Sequence, residues 1–154
     1  AGLRIHECFR MDTAAAEQAL RENALTVKGK GGKVRTVPIE DERILMMLKR
    51  VLAQTERGHK LMVPDGMPTD RAINALELFI YRCRNGISDE GSDRRLTFHG
   101  LRHTYAAEKY TRLTEDGMSA IDAHYAVSRL LGHERADVTN IYLASVRKRG
   151  RDGE

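Results

Sequence analysis

Leu25-Thr26-Val27-Lys28-Gly29-Lys30-Gly31-Gly32-Lys33-Val34-Arg35-Thr36-Val37-Pro38-Ile39 decides the fold class. Two short β-prone runs flank a glycine-rich turn, and that pattern predicts a β-hairpin. Pro38 closes the second strand, since proline has no N–H to donate to a ladder. Outward from the hairpin the periodicity changes. An alanine-rich segment from about Asp12 to Glu22, with Asp12 or Thr13 as its cap, predicts a short helix. Ile44, Leu45, Leu48, Val51 and Leu52 recur at helical spacing over 40–54, whereas Leu61-Met62-Val63-Pro64 is long enough only for a strand fragment. A further helix is expected from Asp70 to Arg84, followed by a polar loop from Asn85 to Arg95 that contains Gly86 and Gly91. Three more helical segments follow at roughly 99–113, 119–131 and 136–145. Ser119 and Asp122 have capping-box spacing, and Gly132 after Leu130-Leu131 marks a helix C-terminus. The expected fold is α+β, mainly helical, with a small antiparallel β-hairpin sheet.

The chain's 154 residues, 41% of them apolar, suffice for one domain with its own core. Lys and Arg outnumber Asp and Glu by 26 to 22, a net charge of +4 that favours a polyanionic partner without naming it. With 5% aromatic residues and no Trp, a platform for stacking single-stranded bases is not expected, and duplex nucleic acid stays open. Cys8 and Cys83 are too few for a disulfide framework and read as reduced thiols of a cytosolic protein. There is no run of 18 apolar residues and no signal-peptide pattern. Because the chain starts without Met, it is expected to be a piece of something longer.

His99-Gly100-Leu101-Arg102-His103 puts His99 and Arg102 three apart, on one face near a helix N-terminus, where a phosphate could be held. Alone this is a weak signal. His99 and His103 also have a zinc-like spacing, but Gly100 stands where the general base of that motif belongs, so no metal is assigned. The pattern sharpens with Leu130-Leu131-Gly132-His133 and, nine residues after His133, Tyr142 in Asn140-Ile141-Tyr142-Leu143.

In that order these motifs resemble the tyrosine recombinases of the phage integrase type. The family's other marks are an Arg in a GLR-x-x-E context and a Lys in a hairpin turn; here they are Gly2-Leu3-Arg4-Ile5-His6-Glu7 and Lys30. The resemblance runs from residue 2 to about 145 and fills six catalytic positions: Arg4, Lys30, His99, Arg102, His133 and Tyr142. The helical segment between Glu7 and the hairpin, and the long stretch between Arg102 and His133, depart from the family pattern and fit a divergent, mobile-element subgroup. The resemblance implies that 1–154 is a catalytic domain truncated at its N-terminus, without its upstream DNA-binding domain. It further implies a cytoplasmic enzyme on duplex DNA that self-associates there, as a tetrameric synapse in the full-length protein.

The chemistry explains the residue types. A phosphodiester gains negative charge in its pentacoordinate transition state, so attack on it needs fixed positive charge. Arg4 and Arg102 would supply two guanidinium forks and His133 a further donor, without metal or cofactor. A tyrosine phenol, with a pKa near ~10, must lose its proton to attack. His99 would accept that proton or position the phosphate, and the resemblance implies that Lys30 protonates the departing 5′ oxygen. Glu7 is expected to orient Arg4 or a neighbour, and His103 to support the fold, while Lys28, Lys33 and Arg35 read as phosphate contacts or solvated cations. Tyr81, Tyr105, Tyr110 and Tyr125 read as amphipathic-helix residues facing a core. Two alternatives stay open: a type IB topoisomerase that relaxes supercoils with the same chemistry, and an integrase relative that binds DNA without cutting it.

Overall fold

A computed structural model of the chain describes residues 1–87 and 95–133. Tyr142, the helix expected over 136–145 and most of the expected polar loop lie outside the described residues. The elements run α1 (Ile5–Arg10), α2 (Thr13–Glu22), β1 (Ala24–Lys28), β2 (Val34–Pro38), α3 (Glu42–Leu52), α4 (Thr69–Cys83), α5 (Phe98–Glu115) and α6 (Ala120–Leu131). The mainly helical α+β class is as expected. Ala1 and Leu3–Phe98 form one compact unit; Gly2 and the described residues from His99 onward form a second.

In the first unit, β1 and β2 pair antiparallel with Leu25 opposite Val37 and Val27 opposite Arg35. Strand alternation turns Leu25, Val27 and Val37 into the core and Val34 out to solvent. An isolated two-stranded hairpin is marginal in water. This one is covered by α2, which packs on β1 and α3, so that Ala16, Ala19 and Leu48 share a core with the strands. Asp12 caps α2, its Oδ1 accepting from the Ala15 N–H at 2.8 Å, and Asn23 ends it in the left-handed region at φ 50°. A second apolar cluster joins Phe9 of α1 to Ala72 and Ile73 of α4.

Two local features differ from the sequence reading. α1 was not expected; it is a short helix started by Arg4, with Glu7 at its third position returning to the Arg4 N–H. The strand fragment expected at Leu61–Pro64 is a series of turns, with one backbone bridge between Asp12 and Lys60. The opposing chain enters α2 at Thr13, so no longer ladder can form there.

The second unit packs α5 against α6 through Ala106, Val127 and Leu131, with Tyr105 and Tyr110 at the edge of that cluster. Ser119 caps α6, accepting from the Asp122 N–H at 3.1 Å. Tyr81 and Tyr125, expected to face a core, are exposed instead. Tyr81 lies under the Arg84 guanidinium, 3.9 Å from ring centre to Cζ, a surface use of the ring that helical spacing does not distinguish from packing.

Candidate active site

The expected site residues fall into two groups, one in each unit. In the first, α1 presents Arg4 at its N-terminus and Glu7 one turn on. Glu7 is buried, its side chain 3% accessible, and its carboxylate is almost enclosed by guanidinium. Arg35 Nη1 donates to Oε1 and Nη2 to Oε2, both at 2.7 Å. Arg4 adds its backbone N–H at 2.7 Å and Nη1 at 3.1 Å. Burial alone would raise the Glu7 carboxyl, but the Arg35 hydrogen bonds, the Arg4 N–H and the two positive charges outweigh it and hold the carboxyl down at about 2. Glu7 is therefore an anion at neutral pH, in contact with both Arg4 and Arg35.

Arg35 was grouped with Lys28 and Lys33 from the sequence, and the structure separates them. Lys28 and Lys33 are exposed. Arg35 sits across from Val27 on the inward face of the hairpin with 11% of its side chain accessible. The period of two was readable, because Val37 and Arg35 share parity, but a cation at an inward position announces itself only once its carboxylate is known.

The turn that carries Lys30 is a short 3₁₀ segment, Lys30–Gly32. Gly29 N–H donates to the Lys33 carbonyl at 2.7 Å, and Gly31 and Gly32 lie at φ 71° and 78°, conformations glycine adopts without penalty. A Cβ on Gly29 would lie 3.8 Å from Glu7 Oε1 and 3.7 Å from Arg35 Nη1, so the turn begins directly against the ion pair.

In the second group, α5 carries His99, Arg102 and His103 in its first turns. Arg102 is 2% exposed. Its Nη2 donates to the Leu131 carbonyl at 2.6 Å and lies 3.3 Å from His133 Nε2, while Nη1 donates to the Gly2 carbonyl. The Leu131 carbonyl belongs to the last turn of α6, where helical partners run out and a cation is favoured. α6 ends with Gly132 at φ 66°, the Gly132 N–H reaching the Arg129 carbonyl and the His133 N–H the Ser128 carbonyl, both at 3.0 Å. That double closure of the helix end sets His133 beside the Arg102 fork. Since Arg102 can only donate, His133 Nε2 accepts, which puts the proton of a neutral ring on Nδ1. The His99 and His103 rings meet edge to face, 4.7 Å between centroids. Among the described residues no three His, Cys, Asp or Glu side chains gather as a metal site.

The sequence did not reveal that two main-chain carbonyls fix Arg102. Gly2, at φ 60°, packs so tightly on Tyr105 that a Cβ would fall 2.6 Å from ring atom Cε1 and closer still to Cδ1. Each half of the constellation thus holds an arginine, one tied to a carboxylate and one to backbone carbonyls and a histidine. Such arginines can bind and neutralise a phosphate.

Comparison with known proteins gives this geometry a context. The model of the phage integrase family matches residues 1–149. The chain is 28% identical over 148 residues to tyrosine recombinase XerD of Pseudomonas putida, covering 92% of this chain and 45% of that protein. It is 30% identical over 153 residues to tyrosine recombinase XerC of Shewanella oneidensis, covering 92% of this chain and 42% of that one. The chain therefore spans less than half the length of these relatives. The crystal structure of XerA recombinase superposes with a TM-score of 0.65 at 21% identity, over 98% of this chain and 53% of that one, a likeness of fold.

Proposed function

The chain belongs to the phage integrase family, and from that membership we propose that it is the catalytic domain of a site-specific recombinase, cutting and rejoining duplex DNA through a 3′-phosphotyrosine bond to Tyr142. The observation that carries this reading is the buried Arg102 fork, anchored by the Gly2 and Leu131 carbonyls beside His133. A fork held by main-chain atoms loses little freedom when a phosphate arrives, which is what a preorganised anion site requires. Arg4 and Arg102 serve the non-bridging oxygens, with His133 as a further donor and His99 assisting the tyrosine proton. Lys30 is the acid for the leaving 5′ oxygen, and Lys28 and Lys33 are backbone-phosphate contacts. Bond energy is kept in the phosphotyrosine, so religation is the reverse of cleavage and calls for no cofactor.

The proposed setting is the cytoplasm, where a longer protein would supply a further DNA-binding domain and assemble on DNA as a tetrameric synapse. Among the described residues no helix is long and apolar enough to cross a membrane. The test is incubation with a nicked duplex that traps the cleaved state, followed by denaturing electrophoresis. A covalent protein–DNA band is expected, absent from Tyr142→Phe at equal DNA binding. Relaxation of supercoiled DNA lacking any specific site would instead assign the chemistry to a topoisomerase, and binding without a covalent band would leave a non-cutting DNA-binding protein.

A further inference from the structure

Resting on the reading above, we propose that the Arg35–Glu7 ion pair ties the Lys30 turn to the start of α1, which makes Arg35 a positioning residue for the proton donor. The Glu7 carboxylate carries the inference, because two elements bond to it at once. From β2, Arg35 donates to both oxygens at 2.7 Å. From the start of α1, the Arg4 N–H donates to Oε2 at 2.7 Å, so the same carboxylate fixes the backbone from which Arg4 projects. The Arg35 pair spans 28 residues of chain, and further partners of either guanidinium leave these bonds in place.

The hairpin is least constrained at its turn. Gly29, Gly31 and Gly32 give that end more backbone freedom than other residues would. Leu25, Val27 and Val37 hold the strands in the core, but the rung nearest the turn, Lys28 opposite Val34, is exposed on both sides. Arg35, opposite Val27, is the inward-facing residue of β2 nearest the turn. Gly29 comes so near the ion pair that a Cβ there would lie 3.8 Å from Glu7 Oε1, and its N–H closes the turn on the Lys33 carbonyl at 2.7 Å. A proton donor has to come within about 2.6–3.2 Å of the departing oxygen. Arg4 serves other oxygens of the same phosphate, so the turn and α1 must keep a fixed separation. Glu7 sets it by holding both.

The distinctive consequence is that Arg35 acts only through Lys30. In the full chain, Arg35→Met should slow single-turnover formation of the covalent complex on an ordinary nicked duplex by at least about tenfold, part of the roughly 10² to 10⁴ that a placed proton donor contributes. On a duplex with sulfur at the bridging 5′ position, where departure needs no acid, it should come within about threefold of the wild-type chain. In a Lys30→Ala background, which has no donor left to misplace, adding Arg35→Met should slow the reaction by less than about twofold. A merely structural role would slow both substrates and both backgrounds. Where Lys30→Ala itself recovers on sulfur, equal slowing of Arg35→Met on the two substrates would overturn the proposal. A tenfold loss on top of Lys30→Ala, or a normal rate for Arg35→Met on ordinary DNA, would do so as well. If Lys30→Ala is slow on both substrates, the acid assignment fails and the double variant decides whether Arg35 acts through Lys30.

A readout independent of cleavage is amide hydrogen exchange followed by NMR without DNA. Freed from Glu7, the turn should open more often. The Gly29 and Gly32 N–H groups, bonded to the Lys33 and Gly29 carbonyls, should then exchange at least about tenfold faster in Arg35→Met. The Ile39 N–H, bonded to the Asn23 carbonyl at the far end of the hairpin, should stay within about threefold. Unchanged turn amides, or an equal rise at Ile39, would overturn the tether. Should Arg35→Met not fold, as judged by circular dichroism, Arg35→Lys keeps the charge with one donor in place of a fork, and the same pattern is expected in smaller form. If Lys30→Ala cleaved normally, or the wild-type chain formed no covalent complex, the reading of the site would fail while the exchange comparison still decided whether Arg35 holds the turn.

Discussion

Replacing Gly2 by Ala should harm the protein more than its position near the chain start suggests. At φ 60° any L side chain is strained, at a cost of about 1–2 kcal/mol. The new Cβ would also meet the Tyr105 ring at 2.6 Å from Cε1, so either the ring or the backbone must move. Tyr105 is packed beside Ala106, Val127 and Leu131, and the easier displacement is that of the residue 2 peptide, whose carbonyl receives the Arg102 Nη1. Losing a hydrogen bond to a charged group costs about 1.5–3 kcal/mol, so the combined loss is about 2.5–5 kcal/mol. At about 2–4 °C per kcal/mol for a chain of this size, thermal unfolding followed by circular dichroism should shift down by about 5–20 °C. Gly66→Ala is the control, since Gly66 has φ 72° but nothing within 4 Å of its Cβ, and it should lose only the backbone cost of about 1–2 kcal/mol. Gly2→Ala should in addition slow DNA cleavage. Equal melting shifts for the two variants, or normal cleavage by Gly2→Ala, would refute the claim that the Gly2 carbonyl fixes Arg102.

Other consequences concern charge and chemistry. The Glu7 carboxyl sits at about 2 in the folded chain against an ordinary 4.5, so its ionised form favours folding; that contribution, about 2 kcal/mol after allowance for screening, is full above pH 4.5 and lost as pH falls toward 2. Urea unfolding across that window should show a drop that Glu7→Gln lacks, and parallel profiles would contradict the assignment. Arg4→Ala or Arg102→Ala should each slow single-turnover cleavage by about 10² to 10³, and normal rates would exclude the arginine in question from transition-state binding. Lys30→Ala should cripple cleavage of ordinary DNA but largely recover on a duplex whose bridging 5′ oxygen is sulfur, because a thiolate leaves without a proton. Equal impairment on both substrates would make Lys30 a binding residue only, and recovery with Lys28→Ala or Lys33→Ala instead would move the acid to that neighbour.

Much of the fold could be read from the chain because local signals agreed with one another. Asp12 before an alanine-rich run, glycines between β-prone runs, Ser119 with Asp122, and Gly132 after Leu131 each mark a boundary that the structure places within one or two residues. α1 escaped because six residues give too little periodicity, and its evidence is the return of Glu7 to the Arg4 N–H. The Leu61–Pro64 reading failed because a ladder depends on its partner, and Met11-Asp12 turns at once into α2. The residue types of the candidate site were legible as a set of cations, two histidines and a tyrosine. Their support was not: the acceptors of Arg102 are main-chain carbonyls 100 and 29 residues away, which no side-chain motif encodes. Arg35 illustrates the same limit, since charge composition suggests a DNA contact and only strand parity together with Glu7 turns it inward.

In the proposed reaction Tyr142 attacks phosphorus. The most direct measurement is to trap the covalent complex on a nicked duplex, digest the DNA and the protein, and locate the nucleotide by mass spectrometry. The adduct is expected on the tryptic peptide Ala136–Arg147, at Tyr142 and linked to a 3′ phosphate. An adduct at Tyr81, Tyr105, Tyr110 or Tyr125, at a residue other than tyrosine, or on a 5′ phosphate would contradict it.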